Sequence, residues 1–492
     1  MRILLVASEC VPWAKAGGLG DVVAALAPAL AERGHEVRIV LPRYRSIDVM
    51  ASGFVDAGSA CIHMGEGIEQ WVGVYEARLA GTVGVWLIEC DRFFGGQGIY
   101  GSGAWDSDEP MRFAFLSKAA IELALDRGFV PDVVHAHDWP TAVACAWVAR
   151  ADEVGLPGLS GAASVLTIHN VQYQGRFSSA VWPWLGLPAE WLSPEVFGDI
   201  DGLNLLKGGA ALADLVTTVS PTHAREMCGE PGGHGLGGFF AARADRLVGI
   251  LNGVDEERWD PATDPLLPAQ YSAGDLSGKA VCRAELQACL GLEARSDIPI
   301  VGMVSRFAPQ KGFDLAAQVV PAFVEGGAMQ LVVVGSGDAA TEAFVRALAE
   351  RFPGSVGMFI GYSEDMAHLV EAGADLFLMP SLYEPCGLNQ MYSMRYGTLP
   401  IVRATGGLAD TVEDASEDGH RGTGFVFTEP TAEALEGALA RALALWTEAP
   451  AVIERLRQRA MLGRHTWQAA ALQYEQAYLA AREHHARLRD VA

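Results

Sequence analysis

At 492 residues the chain is too long for one ordinary hydrophobic core and implies two or three domains. With 50% hydrophobic and 20% charged residues its composition is globular and excludes a disordered chain. The formal net charge of -24 excludes the basic footprint of a nucleic-acid or anionic-membrane surface, while a local Lys/Arg cluster could still hold a small anion.

The eight cysteines show no C-x-x-C spacing, which fits reduced thiols in a cytoplasmic protein better than disulfides or zinc. The N-terminus starts directly as an apolar strand, without a basic segment and small-residue cleavage site. No apolar run approaches the ~18 to 20 residues of a membrane span. The expectation is a soluble, cytoplasmic protein with no membrane or nucleic-acid partner.

In chain order, "RILLVAS" (Arg2 to Ser8) reads as a strand buried on both faces. It runs into the glycine turn "AKAGGLGDVVAAL", with Lys15, Gly17, Gly18 and Asp21, and then into apolar residues at helical spacing. Strand, glycine turn and helix start together make an anion site, because free N–H groups and the helix dipole point at the turn. The turn matches neither G-x-G-x-x-G nor G-x4-G-K-[ST]. Alone it reads as a tight packing turn, and Lys15 gives it a ligand only if a second half-site exists.

Further strands follow at Glu36 to Pro42, Val83 to Cys90, Asp132 to His137, Ser164 to Asn170 and Asp214 to Ser220, alternating with helix-like runs as parallel α/β sheets do. "HAHDWPTA" puts His135, His137 and Asp138 at a strand end, and "LTIHN" does the same for His169. The H-x-H spacing suggests a metal, but a third ligand at suitable spacing is missing. Asp138 and His169 suit sugar hydroxyls or developing positive charge better, and His135 suits a core histidine bonded to backbone.

A Pro/Asp/Gly-rich stretch from Asp260 to Gly278 is read as the interdomain connection. Strands then resume at Ile298 to Arg306, Gln330 to Gly337, Val356 to Tyr362, Asp375 to Ser381 and Leu399 to Gly407, and helical sequence closes the chain from about Thr431. "SRFAPQKGFD" places Arg306 and Lys311 on a loop after a strand, a planar fork and a mobile point charge suited to phosphate oxygens. In "PSLYEPCGLNQMYSMRYG", Glu384 follows a strand and Pro385 is expected in the first turn of a helix. Gly387 and Leu388 would then aim N–H groups at a phosphate, with Glu384 on the hydroxyl-rich part of the same ligand. Cys386 has no local His and reads as a small packing residue. "GGLGDV" at Gly17 is echoed by "GGLADTV" at Gly406, supporting two Rossmann-like sheets whose βα turns face a shared crevice at the strands' carboxyl ends.

These segments, with Ile250 to Asp255 and Thr405 to Asp410, resemble the bacterial glycogen synthase and plant starch synthase family, in the family's order from Lys15 to beyond Asp410. The resemblance implies a GT-B glycosyltransferase: an N-terminal Rossmann-like acceptor-side domain (1–255), a C-terminal Rossmann-like nucleotide-sugar domain (256–465), and a C-terminal helix (466–492) packing back on the first domain. The implied reaction moves glucose from ADP-glucose to the non-reducing end of an α-1,4-glucan such as glycogen, with retention. Lys15, Gly17, Gly18, Arg306 and Lys311 would hold the donor diphosphate. Asp138, His169 and Glu384 would surround the transferred glucose. Asn252, Tyr362 and Leu388 would line the nucleotide side, with Asp21, Tyr100, Cys386, Gly387 and Thr405 completing the substrate contacts. The wider retaining pattern E-x7-E would need Glu at position 392, where Tyr392 stands, so no ribose-binding carboxylate carries over.

Departure of glucose builds negative charge on the diphosphate and positive character on the ring, so fixed cations belong on one side and carboxylates on the other. Arg306 and Lys311 can do this without a metal, so no metal and no cofactor are expected. A same-face route, in which the leaving phosphate helps deprotonate the acceptor hydroxyl, is preferred over double displacement. Competing readings are a UDP-glucose synthase, a sucrose-synthase-like transferase, a glycoside hydrolase using Asp138 and Glu384, or a non-catalytic sugar-nucleotide sensor.

Overall fold

Short runs of β-branched and leucine residues become strands that helices cover on both faces, and this happens twice. The computed structural model describes residues 1–96, 98–101, 108–153 and 155–491. Met1–Val219 and Ala224–Gly253, with the C-terminal helix, form the first α/β unit; Val254–Thr466 with Ser220–His223 form the second.

The first unit contains β1 (Arg2–Val6), β2 (Glu36–Pro42), β3 (Val55–His63), β4 (Glu69–Leu79), β5 (Val83–Glu89), β6 (Val133–His137), β7 (Ala163–Ile168), β8 (Arg176–Phe177), β9 (Gly198–Asp199), β10 (Gly202–Asn204), β11 (Leu215–Thr218) and β12 (Leu247–Gly249). Its main sheet runs β12-β11-β7-β6-β1-β2-β5-β4-β3, while β8-β10-β9 form a small separate ribbon. From β12 to β5 every pairing is parallel. β1 lies inside this sheet, and its residues Ile3 to Val6 are fully buried, as an uninterrupted apolar run requires.

β4 pairs antiparallel with both β5 and β3, an extension that the all-parallel expectation did not contain. β3 is mostly exposed and built from Gly, Ala, Ser and Asp, so it carries no apolar run to read. The helix Gly18–Glu32 buries Leu19, Val22, Val23, Leu26, Ala27 and Leu30, the stripe that its helical spacing predicts. The C-terminal helix Trp467–Val491 packs against it and against β7 and β11. Tyr474 and Tyr478 of that helix are fully buried, and Glu475 pairs with Arg33.

The second unit has one sheet of six parallel strands in the order β15-β14-β13-β16-β17-β18. They are β13 (Ile300–Val304), β14 (Gln330–Gly335), β15 (Val356–Ile360), β16 (Leu376–Met379), β17 (Leu399–Arg403) and β18 (Phe425–Phe427). The changeover falls at Gly253/Val254, so the 260–278 stretch read as a connection lies inside this unit. Asp264 within it accepts hydrogen bonds from Tyr396 Oη (2.6 Å) and lies 2.7 Å from His368 Nδ1. Turn-rich composition there marks irregular backbone, not detachment. Among the described residues all eight cysteines are free thiols, and no helix is long and apolar enough to cross a membrane.

Because the strands from β12 to β5 run parallel, the loops after β1, β5, β6, β7 and β12 share one edge of the first sheet. Those after β13, β15, β16 and β17 share one edge of the second. Lys15, Asp138, His169, Asn252, Arg306, Lys311, Tyr362, Glu384 and Thr405 lie on these loops or at the helix start that follows, while His135 and His137 lie within β6 itself.

Candidate active site

In the first unit the glycine turn is built around a residue the sequence reading passed over. Glu9 is buried just beyond β1, and its Oε2 accepts the N–H groups of Ala16 (2.6 Å) and Gly17 (2.8 Å). Its Oε1 accepts the hydroxyl of Tyr100 at 2.7 Å, which also lies 2.7 Å from Ser8 Oγ. A carboxylate has no proton to give, so Tyr100 donates to Glu9 and Ser8 donates to Tyr100. Burial, with the Glu9 charge, pushes the Tyr100 hydroxyl well up and keeps it a donor. The expectation that Gly17 offers its N–H to a phosphate is therefore corrected: a protein carboxylate already uses that group. The N–H groups of Gly18 and Leu19 have no acceptor among the described residues, and a Cβ on Gly17 or Gly18 would meet nothing within 4 Å. Lys15 Nζ, read as a separate phosphate contact, is paired with Asp21 Oδ1 at 2.8 Å.

After β6 the backbone turns sharply at Asp138, whose φ of 57 is left-handed for a residue with a side chain. That turn brings its Oδ1 back to the N–H of His169 (2.7 Å), with Asn170 N at 3.4 Å. Burial pushes the Asp138 carboxyl up to about 7; the two N–H groups oppose the rise and the nearby Glu9 charge adds to it. Ionising it in the folded chain costs free energy that the unfolded chain, with a carboxyl near 4, does not incur. Its contribution to stability is full below about pH 4 and is lost as pH rises through about 7. Thermal melts should show Asp138→Asn gaining on the wild type from about pH 4 to about pH 7. A difference that stays constant over that range would contradict this reading.

His135, His137 and His169 line up without forming a metal set. His135 is a core residue, its Nδ1 2.9 Å from Tyr478 Oη and its Nε2 2.6 Å from Thr167 Oγ1. His137 Nδ1 lies 3.0 Å from His169 Nε2. The Nε2 of His137 is buried without a partner among the described residues, so the less costly tautomer carries its proton on Nδ1 and donates to His169. His169 then holds its own proton on Nδ1. Burial lowers His169 to about 3, so it is a neutral hydrogen-bonding group near pH 7. Asn252 follows β12 at the sheet's edge, its side-chain oxygen buried without a partner.

In the second unit the loops after β13, β16 and β17 touch through their backbones. Gly312 (φ 71) and Gly406 (φ 44) would each place a Cβ 1.9 Å from a carbonyl oxygen, of Pro380 and Glu384 respectively, and only glycine permits such an approach. Gly407 N–H donates to the carbonyls of Glu384 and Pro385, both at 3.1 Å. Asn389 Nδ2 donates to Val304 O at 2.6 Å, tying the β16 loop to the end of β13.

Here Lys311 Nζ meets Glu384 Oε2 at 2.6 Å, and Ser381 Oγ donates to the same oxygen at 3.1 Å. Glu384 Oε1 has no partner among the described residues. Arg306 is exposed after β13 without an ion-pair partner among the described residues. The helix expected to start at Pro385 starts at Asn389, because Gly387 takes the left-handed region (φ 73) and Leu388 caps the helix. The N–H groups of Gly387 and Leu388 nevertheless donate to no protein acceptor among the described residues. Cys386 is buried against Gly407, and Thr405 is the buried N-cap of the helix Gly406–Thr411. Tyr362 follows β15 with 77% of its surface exposed, a bare ring at the carboxyl edge. Tyr392, standing where the wider pattern has Glu, stacks on Trp259 at 3.9 Å between ring centroids.

Thus Lys15 with Asp21, Gly17 with Tyr100 through Glu9, Asp138 with His169, and Lys311 with Glu384 are brought together. Asn252, Tyr362 and Arg306 stand apart from those pairs. Glu9, Ser381 and Asn389 were missed. Only Glu9 carried a local signal, a lone acid inside the apolar run "VASECV".

Residues 2–242 match the starch synthase catalytic domain and residues 291–459 match glycosyl transferases group 1. Glycogen synthase from Anaeromyxobacter dehalogenans is 48% identical over 97% of this chain and 98% of its own length. Glycogen synthase 1 from Geobacter metallireducens is 44% identical over 97% and 95%. The solved catalytic domain of starch synthase IV from Arabidopsis thaliana superposes with a TM-score of 0.89 at 34% identity, covering 98% of this chain and 99% of that one. The two α/β units have the GT-B architecture of that structure, and the chain belongs to the glycogen synthase family.

Proposed function

We propose that this chain is a retaining glucosyltransferase that elongates glycogen, an α-1,4-glucan, at its non-reducing end from ADP-glucose in the cytoplasm. The observation that carries the reading is the Lys311–Glu384 pair, on a loop where the N–H groups of Gly387 and Leu388 have no acceptor among the described residues. Glu384 holds the ammonium in place with one oxygen and keeps the other for a sugar hydroxyl. Arg306, Lys311 and the N–H groups of Gly387 and Leu388 take up the charge that grows on the diphosphate. In the first unit, Lys15 and the open N–H groups of Gly18 and Leu19 are donors of the kind a phosphate takes. Asp138, when ionised, and neutral His169 bind hydroxyls of the transferred glucose. The bare ring of Tyr362 is suited to stacking on a base.

As the bond from glucose C1 to the phosphate oxygen breaks, the acceptor 4-hydroxyl oxygen bonds to C1 from the same face. Its proton passes to the departing phosphate, which balances the step and retains the anomeric configuration. The cations are supplied by side chains, so no metal is required. The Arabidopsis starch synthase is bound to ADP and acarbose, which supports an adenine nucleotide as donor.

The test incubates the protein with glycogen and either ADP-glucose or UDP-glucose in excess chelator. Chain growth with ADP-glucose favoured is expected. Growth only with UDP-glucose would reassign the donor, growth abolished by chelation would reinstate a metal, and no growth with either donor would remove the transferase.

A further inference from the structure

We propose that Glu9 is a positioning residue, an internal carboxylate that ties the Ala16–Gly17 turn to Tyr100 and sets the first turn of the Gly18–Glu32 helix in its ligand-ready shape. The inference rests on the transferase reading for its kinetics, but its geometry stands alone. The glycine turn has little of its own to hold it: Gly17 and Gly18 have no side chains, and their Cβ positions face open space. The Cys10–Ala14 bridge, Val11 N–H on Gly20 O and the Lys15–Asp21 pair hold its flanks; at Ala16 and Gly17 themselves the hold is Glu9, with one oxygen on two consecutive N–H groups and the other on a tyrosine whose hydroxyl is anchored by Ser8. Gly20 permits this packing, since a Cβ there would lie 3.1 Å from Ala14 O and 3.5 Å from Glu9 Cβ.

The arrangement divides the donors of the turn. Ala16 and Gly17 are satisfied from within, where a buried negative charge also repels a second anion. Gly18 and Leu19 are left open at the start of the helix, where its dipole favours a phosphate. Tyr100 belongs to this support, so its contribution to ligand binding runs partly through Glu9.

Glu9→Gln preserves the hold: its amide oxygen accepts the two N–H groups, its NH2 donates to Tyr100, and Tyr100 turns its proton to Ser8. Glu9→Ala leaves two part-buried donors without their carboxylate, and Tyr100→Phe removes one tether. The experiment measures ADP binding by calorimetry, KM and kcat with ADP-glucose and glycogen, and amide exchange of residues 14–20. Glu9→Ala should weaken ADP binding and raise the ADP-glucose KM about tenfold or more, speed exchange over 14–20, and leave the glycogen KM within about twofold. Glu9→Gln should return the ADP-glucose KM to within about threefold of wild type. If Glu9→Ala does not fold, Tyr100→Phe must still raise the ADP-glucose KM and speed exchange at 14–20. The proposal is overturned if folded Glu9→Gln is as impaired as Glu9→Ala, or if either Glu9→Ala or Tyr100→Phe binds ADP and exchanges like wild type. A wild-type protein that binds ADP without extending glycogen would instead count against the transferase reading, and leave the calorimetry and exchange as the test of Glu9.

Discussion

Lys311→Ala should lower kcat by about two to three orders of magnitude, some 3 kcal/mol of lost transition-state stabilisation, in steady-state assays with saturating ADP-glucose. Two effects add in the same direction. The ammonium proposed to meet the growing charge on the diphosphate disappears, and Glu384 loses its 2.6 Å partner inside a largely buried loop. The Glu384 carboxylate is then left without its cation, and its negative charge opposes a diphosphate bound nearby. Lys311→Arg is not a conservative change here, because a planar fork does not reproduce a point contact to one carboxylate oxygen. Wild-type turnover in Lys311→Ala would remove Lys311 from its assigned role.

Gly406→Ala should be among the most disruptive single-methyl changes in the second unit, at about 2 to 4 kcal/mol of stability, with activity falling alongside. Its Cβ would sit 1.9 Å from the carbonyl oxygen of Glu384, at a φ of 44 that residues with side chains rarely adopt. Neither atom belongs to a flexible side chain, so one of the two loops must move, and Glu384 moves with it. Gly18→Ala is the matched control, since its Cβ meets nothing within 4 Å, and its stability should change by no more than about 0.5 kcal/mol. Thermal melting and denaturant titration of the pair check the contrast. Equal stability of Gly406→Ala and wild type would show that the contact yields more easily than a backbone-to-backbone approach should.

The strands that carry these loops were legible because a parallel strand buried on both faces must be a short apolar run, as "RILLVAS" and "IPIVGMVSR" are. Knowing where β1, β6, β7, β13 and β16 end was enough to put Lys15, Asp138, His169, Arg306, Lys311 and Glu384 on carboxyl-end loops. What each side chain does there was less legible, because its partner is set by tertiary contact. Lys311 and Glu384 were read as separate contributors and are an ion pair. Gly17 was read as a free donor, yet it is bonded to an acid on the same loop.

Local rules also misled where two of them competed. Pro385 suits a first helical turn, but Gly387 in the left-handed region delays the helix to Asn389. The Asp260 to Gly278 stretch has a linker's composition, but Asp264 is held by His368 and Tyr396 from elements far along the chain. The β3 edge escaped notice because it is mostly exposed and its buried apolar residues, Ala60 and Ile62, make too short a pattern to display.

The central claim is that glucose moves from a nucleotide diphosphate to the end of a growing glucan, and product length on an acceptor of one defined size tests it most directly. With ADP-glucose and maltoheptaose, the account predicts one ADP released for each glucose added, in a ladder of longer α-linked chains extended at the non-reducing end. Release of ADP without lengthening, or products shorter than the acceptor, would contradict it.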